Sequence, residues 1–203
     1  MIAIGLTGVI GSGKSTVAKM LVARGAAYID ADLVGHRSYE EGTFLHQRLI
    51  DEFGRGILAE NGEIDRRRLG ERVFGDPQAL ERLNAIVWPA MAETIEEDLR
   101  GFRLAKVEMA VLEAAVLFEA GWQRLVDEVW AVVASPEVAR QRLAAKGVAA
   151  EQAEARIRSQ ISNEAHVQNV HVVIENNGNL AELEARVQSL WEALHRRIRT
   201  GRG

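Results

Sequence analysis

The chain has 203 residues, 25 Lys and Arg against 29 Asp and Glu, a formal net charge of −4 and no Cys. That balance excludes a disulfide framework, a Cys-based zinc site and bulk attraction for nucleic acid, so any basic site has to be local. No apolar run approaches the length of a membrane span, and Met1 to Gly5 lack the basic start of a signal peptide, so a cytoplasmic protein without a membrane partner is expected.

In chain order, Ile2 to Thr7 reads as a short buried strand, followed by a Gly-rich turn. A helix follows from about Lys14 to Arg24, with an apolar stripe at Val17, Met20 and Leu21 and a stop at Gly25. Ala26 to Asp30 reads as a second strand ending in Asp30-Ala31-Asp32. Residues 33–100 are mostly helical, with a turn at Asn61-Gly62 and a helix start at Asp76-Pro77. Leu80, Leu83, Val87, Met91, Ile95 and Leu99 form a stripe at helical spacing, and Pro89 inside it predicts a kink or break. Lys106 to Leu112 and Glu128 to Ala134 read as buried strands, the latter closed by Ser135-Pro136 as a helix start. Residues 137–168 are helical and broken at Gly147. His171 to Glu175 is the last strand, Asn176 to Asn179 a turn, and Leu180 to Ile198 a final amphipathic helix. Alternating strands and helices imply a parallel sheet covered on both faces, with the two all-helical stretches inserted between core strands.

Gly8-Val9-Ile10-Gly11-Ser12-Gly13-Lys14-Ser15 matches G-x-x-x-x-G-K-[ST] at every fixed position, after a predicted strand and before a predicted helix. Glycines at these positions let backbone N–H groups curl around phosphate oxygens, and the helix N-terminus adds positive potential. Lys14 would reach the β- and γ-phosphates and the Ser15 hydroxyl would ligate Mg²⁺. This pattern indicates a nucleoside triphosphate site. By itself it does not separate kinases from GTPases and motor ATPases.

Read as the end of a strand, Asp30 and Asp32 project to one side near the loop. One could take a proton from an attacking hydroxyl, but Asp32 would serve equally as a helix cap. Glu113 ends a later strand, where a Walker-B-type carboxylate orders Mg²⁺ or an ordinary charged residue sits. Arg140, Arg142, Lys146, Arg156 and Arg158 fit a segment that folds over ATP, or a solvated face with pairs such as Gln152–Arg156 and Glu154–Arg158. Arg66-Arg67-Arg68 fits a pyrophosphate contact or a solvated face equally well. Arg196, Arg197, Arg199 and Arg202 read as complements to the last helix dipole.

These motifs together resemble the dephospho-coenzyme A kinase family, essentially end to end. Gly5 to Thr16 looks like that family's phosphate loop, Asp30-Ala31-Asp32 its second signature, and Leu83-Asn84-Ala85-Ile86-Val87-Trp88-Pro89 its Leu-Asn-x-Ile-x-His-Pro motif. Val116-Leu117-Phe118-Glu119 and Ile174-Glu175-Asn176-Asn177-Gly178 are similar to two further motifs, in the same order. The resemblance implies a P-loop NTPase fold, an α/β architecture with a parallel sheet flanked by helices. It implies a core of residues 1–32, 101–136 and 169–203, a substrate domain at 33–100 and a lid at 137–168. It also implies ATP-dependent phosphorylation of the ribose 3′-hydroxyl of dephospho-CoA with Mg²⁺.

On this reading the ATP-binding residues are Gly8, Val9, Ile10, Gly11, Ser12, Gly13, Lys14, Ser15, Thr16, Arg142 and Asn177, with the Asn176 to Gly178 turn lining the adenine pocket. Asp32 and Lys14 are catalytic, and Asp32, Arg37, Asn84, Trp88, Leu117 and Glu119 face the acceptor. A monomer is the favoured state. The chain departs from the family pattern in three places. Trp88 stands where His is usual, as in the kinase domain of bifunctional CoA synthases. Glu113 replaces the common Asp, and Ala144 to Val148 is one residue shorter than the family's lid segment, with Lys146 in place of Arg. The alternatives are a nucleoside- or shikimate-type kinase, or a nucleotide-binding regulator with weak catalysis.

Overall fold

The computed structural model describes residues 1–159 and 169–201. Residues 160–168 of the expected lid, the side chains of Arg156 and Arg158, and Arg202 lie outside the described residues. Five strands form one sheet in the order β2-β3-β1-β4-β5: β1 Ile2–Thr7, β2 Ala27–Asp30, β3 Met109–Glu113, β4 Glu128–Val133 and β5 Val172–Glu175. The pairings of β1 with β3, β1 with β4 and β4 with β5 are all parallel. Parallel pairing needs crossovers, and the helices Lys14–Val22 and Leu180–Arg199 pack on the sheet. Every residue of β1 and of β3 is accordingly buried. β1 is central, and the chain leaves it first toward β2 and β3 and later toward β4. The carboxyl end of β1 is thus a topological switch point, where ligands bind in open α/β sheets.

The chain divides into two compact units, Met1–Ile29 with Leu99–Gly203, and Asp30–Asp98. The first holds the sheet, helix α1 (Lys14–Val22), and the helices here numbered α6 (Pro136–Ala145), α7 (Ala150–Ser159) and α8 (Leu180–Arg199). Val17, Ala18 and Leu21 of α1 and Leu183, Val187, Trp191 and Leu194 of α8 join Ile2, Ile4, Leu6, Val111, Trp130 and Val132 in one buried cluster. Ser135 caps α6 by accepting from the Val138 N–H, and Pro136 opens its first turn. Asn179 caps α8 by accepting from the Glu182 N–H and donates back to the Glu182 carboxylate.

The second unit carries α2 (Ala31–Ser38), α3 (Phe44–Phe53), a 3₁₀ turn at Arg55–Ile57, α4 (Arg66–Val73) and most of α5 (Pro77–Leu104). Thr43, Asp65 and Asp76 cap α3, α4 and α5 through their side chains. Among the described residues no helix is long and apolar enough to cross a membrane.

Three sequence expectations are corrected. The helix α5 runs unbroken through Pro89 for 28 residues. Burial of Val87, Met91, Ile95 and Leu99 of the stripe outweighs the one intrahelical bond that Pro89 removes. The strand expected from Lys106 starts only at Met109, because Lys106 is left-handed at φ 57°. The second strand stops at Asp30, and Asp32 lies in the first turn of α2.

Candidate active site

The loop between β1 and α1 is shaped by its glycines. Gly8 has φ 149°, and a Cβ there would sit 2.2 Å from the Val132 carbonyl oxygen. Gly13 has φ 95°, and its Cβ would sit 2.3 Å from Asn176 Nδ2. Both positions combine a backbone conformation that L side chains rarely adopt with no room for one. Gly13 is also the N-cap of α1 and brings no side chain to its first turn. The helix N-terminus therefore stays open to an anion.

Two side chains grip the carbonyls of this loop. Asn176, buried just after β5, donates from Nδ2 to the Ser12 carbonyl at 2.7 Å. Arg142 of α6 donates from Nη1 to the Ser12 and Gly11 carbonyls at 3.2 and 3.4 Å, and from Nη2 to Asn176 Oδ1 at 3.1 Å. A cavity of about 640 Å³ opens at the loop, lined by Gly8 to Gly11 and Gly13 to Thr16 and also by Arg142 and Asn176. Leu143, Leu180 and Leu183 also line it, an apolar wall of the kind that takes a purine.

Beside the loop sits Glu113, the last residue of β3 and only 6% exposed. Its two oxygens have different work. Oε1 accepts from Lys14 Nζ at 2.7 Å and from Ser15 Oγ at 2.6 Å, while Oε2 accepts from the Tyr28 hydroxyl at 2.6 Å. Burial pushes the Glu113 carboxyl upward, but the donors Lys14, Ser15 and Tyr28 outweigh it and hold the group below its ordinary value of 4.5. Glu113 is thus an ionised carboxylate beside the loop. The Ser15 hydroxyl spends its proton on it and keeps its lone pairs for a cation. Serine and carboxylate oxygens are the hard donors that Mg²⁺ takes, with water and phosphate completing the shell. The residues present fit that ion.

The remaining predicted residues are placed as follows. Asp30 Oδ1 accepts from the Asp32 N–H at 2.9 Å and the Leu33 N–H at 3.4 Å, so Asp30 is the cap of α2. Asp32 itself is exposed in the first turn. Asn177 turns away from the loop: its Oδ1 accepts from the Ser135 N–H at 2.7 Å, and Asn176 is the neighbour that reaches Ser12. Leu117 is fully buried, and a Cβ on Gly5 would lie 2.9 Å from it. It packs under β1 and has no surface for a ligand, which corrects the expectation of substrate contact. Glu119 is exposed, while Asn84 and Trp88 are half-buried on α5. Arg37 pairs with Asp98 at 3.0 Å. In the basic run Arg66 lies over the Tyr39 ring, Arg67 pairs with Glu71, and Arg68 pairs with Asp65. Arg140 pairs with Glu154 at 2.9 Å, tying α6 to α7, and Lys146 lines the cavity.

Sequence reasoning gave the Asn176 to Gly178 turn to the adenine pocket but not the Asn176 bond to Ser12, and passed over Tyr28. Tyr28 carries no local signal.

The dephospho-CoA kinase family model matches residues 2–182. The chain belongs to the dephospho-CoA kinase family. A family relative named dephospho-CoA kinase, from Geobacter sulfurreducens, is 42% identical over 189 residues, covering 93% of this chain and 96% of the relative. A solved structure from Thermus thermophilus is 34% identical with a TM-score of 0.78, covering 95% of this chain and 97% of that one. The dephospho-CoA kinase of Campylobacter jejuni, 24% identical, shares the fold with a TM-score of 0.70 over 94% of this chain and 95% of its own. The P-loop kinase fold and the family expected from the motifs both hold.

Proposed function

We propose that this chain transfers the γ-phosphoryl group of ATP to the ribose 3′-hydroxyl of dephospho-CoA, giving CoA and ADP. The observation that carries the reading is the family's phosphate loop lining a nucleotide-sized cavity with Lys14 and Ser15, both of them bonded to Glu113. The loop amides and Lys14 bind the phosphates and stabilise charge that develops on the transferring group. Mg²⁺, when bound at Ser15 and Glu113, supplies charge neutralisation of the phosphate oxygens. Arg142 and Asn176 hold the loop in shape from its carbonyl side. Thr16 and the apolar wall complete the nucleotide end.

Asp32 is the residue assigned to the acceptor hydroxyl. Capping of α2 by Asp30 supports this, because it relieves Asp32 of that duty. The 3′-oxygen attacks the γ-phosphorus, the bond from that phosphorus to the ADP oxygen breaks, and the hydroxyl proton passes to the Asp32 carboxylate. Asn84, Trp88, Arg37 and Glu119 are assigned to the acceptor, Trp88 offering a stacking face and a single N–H. A cytoplasmic monomer completes the reading.

A coupled ADP-release assay with dephospho-CoA, adenosine, AMP and shikimate as acceptors tests it. Turnover is expected with dephospho-CoA and is expected to fall by at least about a hundredfold in Lys14→Ala. ATP binding without turnover on any of these acceptors would sink it.

A further inference from the structure

The proposed reading of the loop leaves one residue without a role. Tyr28 lies on β2, the edge strand beside β3, and its hydroxyl takes Oε2 of Glu113 at 2.6 Å. The other oxygen, Oε1, carries both loop contacts, to Lys14 Nζ and to Ser15 Oγ. A carboxylate is a rigid planar group on a rotatable stem. Fixing one oxygen on a strand-borne phenol fixes the direction of the other. We infer that Tyr28 is a positioning residue of the phosphate site, aiming Glu113 at the loop lysine and serine, and this rests on the reading of the loop as an ATP site.

The physical case has two parts. First, Glu113 is almost fully buried, so a carboxylate oxygen deprived of its donor keeps a desolvation cost that the side chain can relieve only by turning. Turning would carry Oε1 away from Lys14 and Ser15. Second, the two loop residues are mobile partners in function: Lys14 is called to phosphate and Ser15 to a cation whenever nucleotide binds. The Tyr28 hydroxyl is called to neither, and on this inference it is the donor that stays with Glu113 throughout the cycle. Its loss should therefore be felt in the affinity for the nucleotide, and through Glu113 alone.

The test is a double-mutant cycle read by calorimetric titration of ADP, with and without Mg²⁺, on wild type, Tyr28→Phe, Glu113→Ala and the double variant. Glu113→Leu replaces Glu113→Ala if the latter does not fold. Tyr28→Phe is expected to weaken Mg·ADP binding about tenfold in the wild-type background, as for a hydrogen bond to a charged group. It is expected to change binding by less than about twofold once Glu113 is removed. In turnover assays the effect should appear in the KM for ATP more than in kcat. An equal loss in both backgrounds, or no loss in either, overturns the inference while leaving the loop reading intact. Wild type that binds no adenine nucleotide, or binding indifferent to Lys14→Ala, overturns the loop reading and the inference with it.

Discussion

Asp30 and Asp32 are two residues apart and chemically identical, yet the structure gives them different surroundings. Asp30 accepts from the first-turn N–H groups of α2, and Asp32 stands exposed beside it. Their variants should separate cleanly. Asp30→Ala is expected to cost about 1 kcal/mol of stability, the usual loss for an Asp cap. Asp32→Asn is expected to lower kcat by roughly 10²–10⁴-fold, the span of general-base contributions, with stability changed by less than about 0.5 kcal/mol. Urea unfolding paired with steady-state ADP release reads both. Near-normal turnover in Asp32→Asn would remove it from the chemistry. The sequence left the cap and the base unresolved because its strand pattern was extended through Asp32. The strand ends two residues earlier, and at a strand-to-helix junction the alternation of faces no longer says where a side chain points.

At the scale of elements, the loop is legible in the sequence because its backbone demands glycine at fixed spacing, and Gly8 and Gly13 show that demand directly. What braces it is far less legible. Arg142 and Asn176 reach Ser12 from 130 and 164 residues away, and Glu113 reaches Lys14 from 99. A motif scan sees none of these separations. It singled out Glu113 by its strand-end position and Arg142 as a phosphate ligand. It missed Tyr28 because that contact exists only if β2 lies next to β3. Pro89 shows the opposite error, a strong local signal overridden by packing of the helix that contains it. The brace gives a prediction. Asn176→Ala removes one of the two donors on the Ser12 carbonyl and loosens Arg142, and should cost roughly 0.5–1.5 kcal/mol. ADP affinity should fall with it, measured by the same titration on a variant still folded by circular dichroism.

At the scale of the whole molecule, the C-terminal helix closes the core by charge as well as by apolar packing. Glu128, buried at the start of β4, accepts from Trp130 Nε1 at 2.9 Å and pairs with Arg197 of α8. Burial pushes Glu128 upward, but Arg197 and Trp130 outweigh it, so its folded value lies below the ordinary 4.5. A depressed carboxylate stabilises the fold fully above its unfolded value, and that stability drains away as pH falls through the folded value. The stability gap between wild type and Glu128→Gln should therefore be full above pH 4.5 and shrink below it, which urea midpoints across pH 3 to 7 will show. A gap that does not change with pH would mean that the Arg197 pair contributes nothing. The run of arginines at the end of the chain, expected only to answer the helix dipole, thus includes one that holds α8 to the sheet.

The grip of Asn176 on Ser12 has a further consequence, in time rather than in energy. The first segment of the site to leave the ribosome is the loop, and one of the last to leave is the strand end that shapes it, 164 positions later. Contacts of such separation form late, after long stretches of chain have already been ordered. A nascent or truncated chain can carry the whole phosphate-loop motif and still have no phosphate site. Nucleotide binding in this protein is then a report that the chain has finished folding, and bound nucleotide in turn draws the equilibrium toward the finished state.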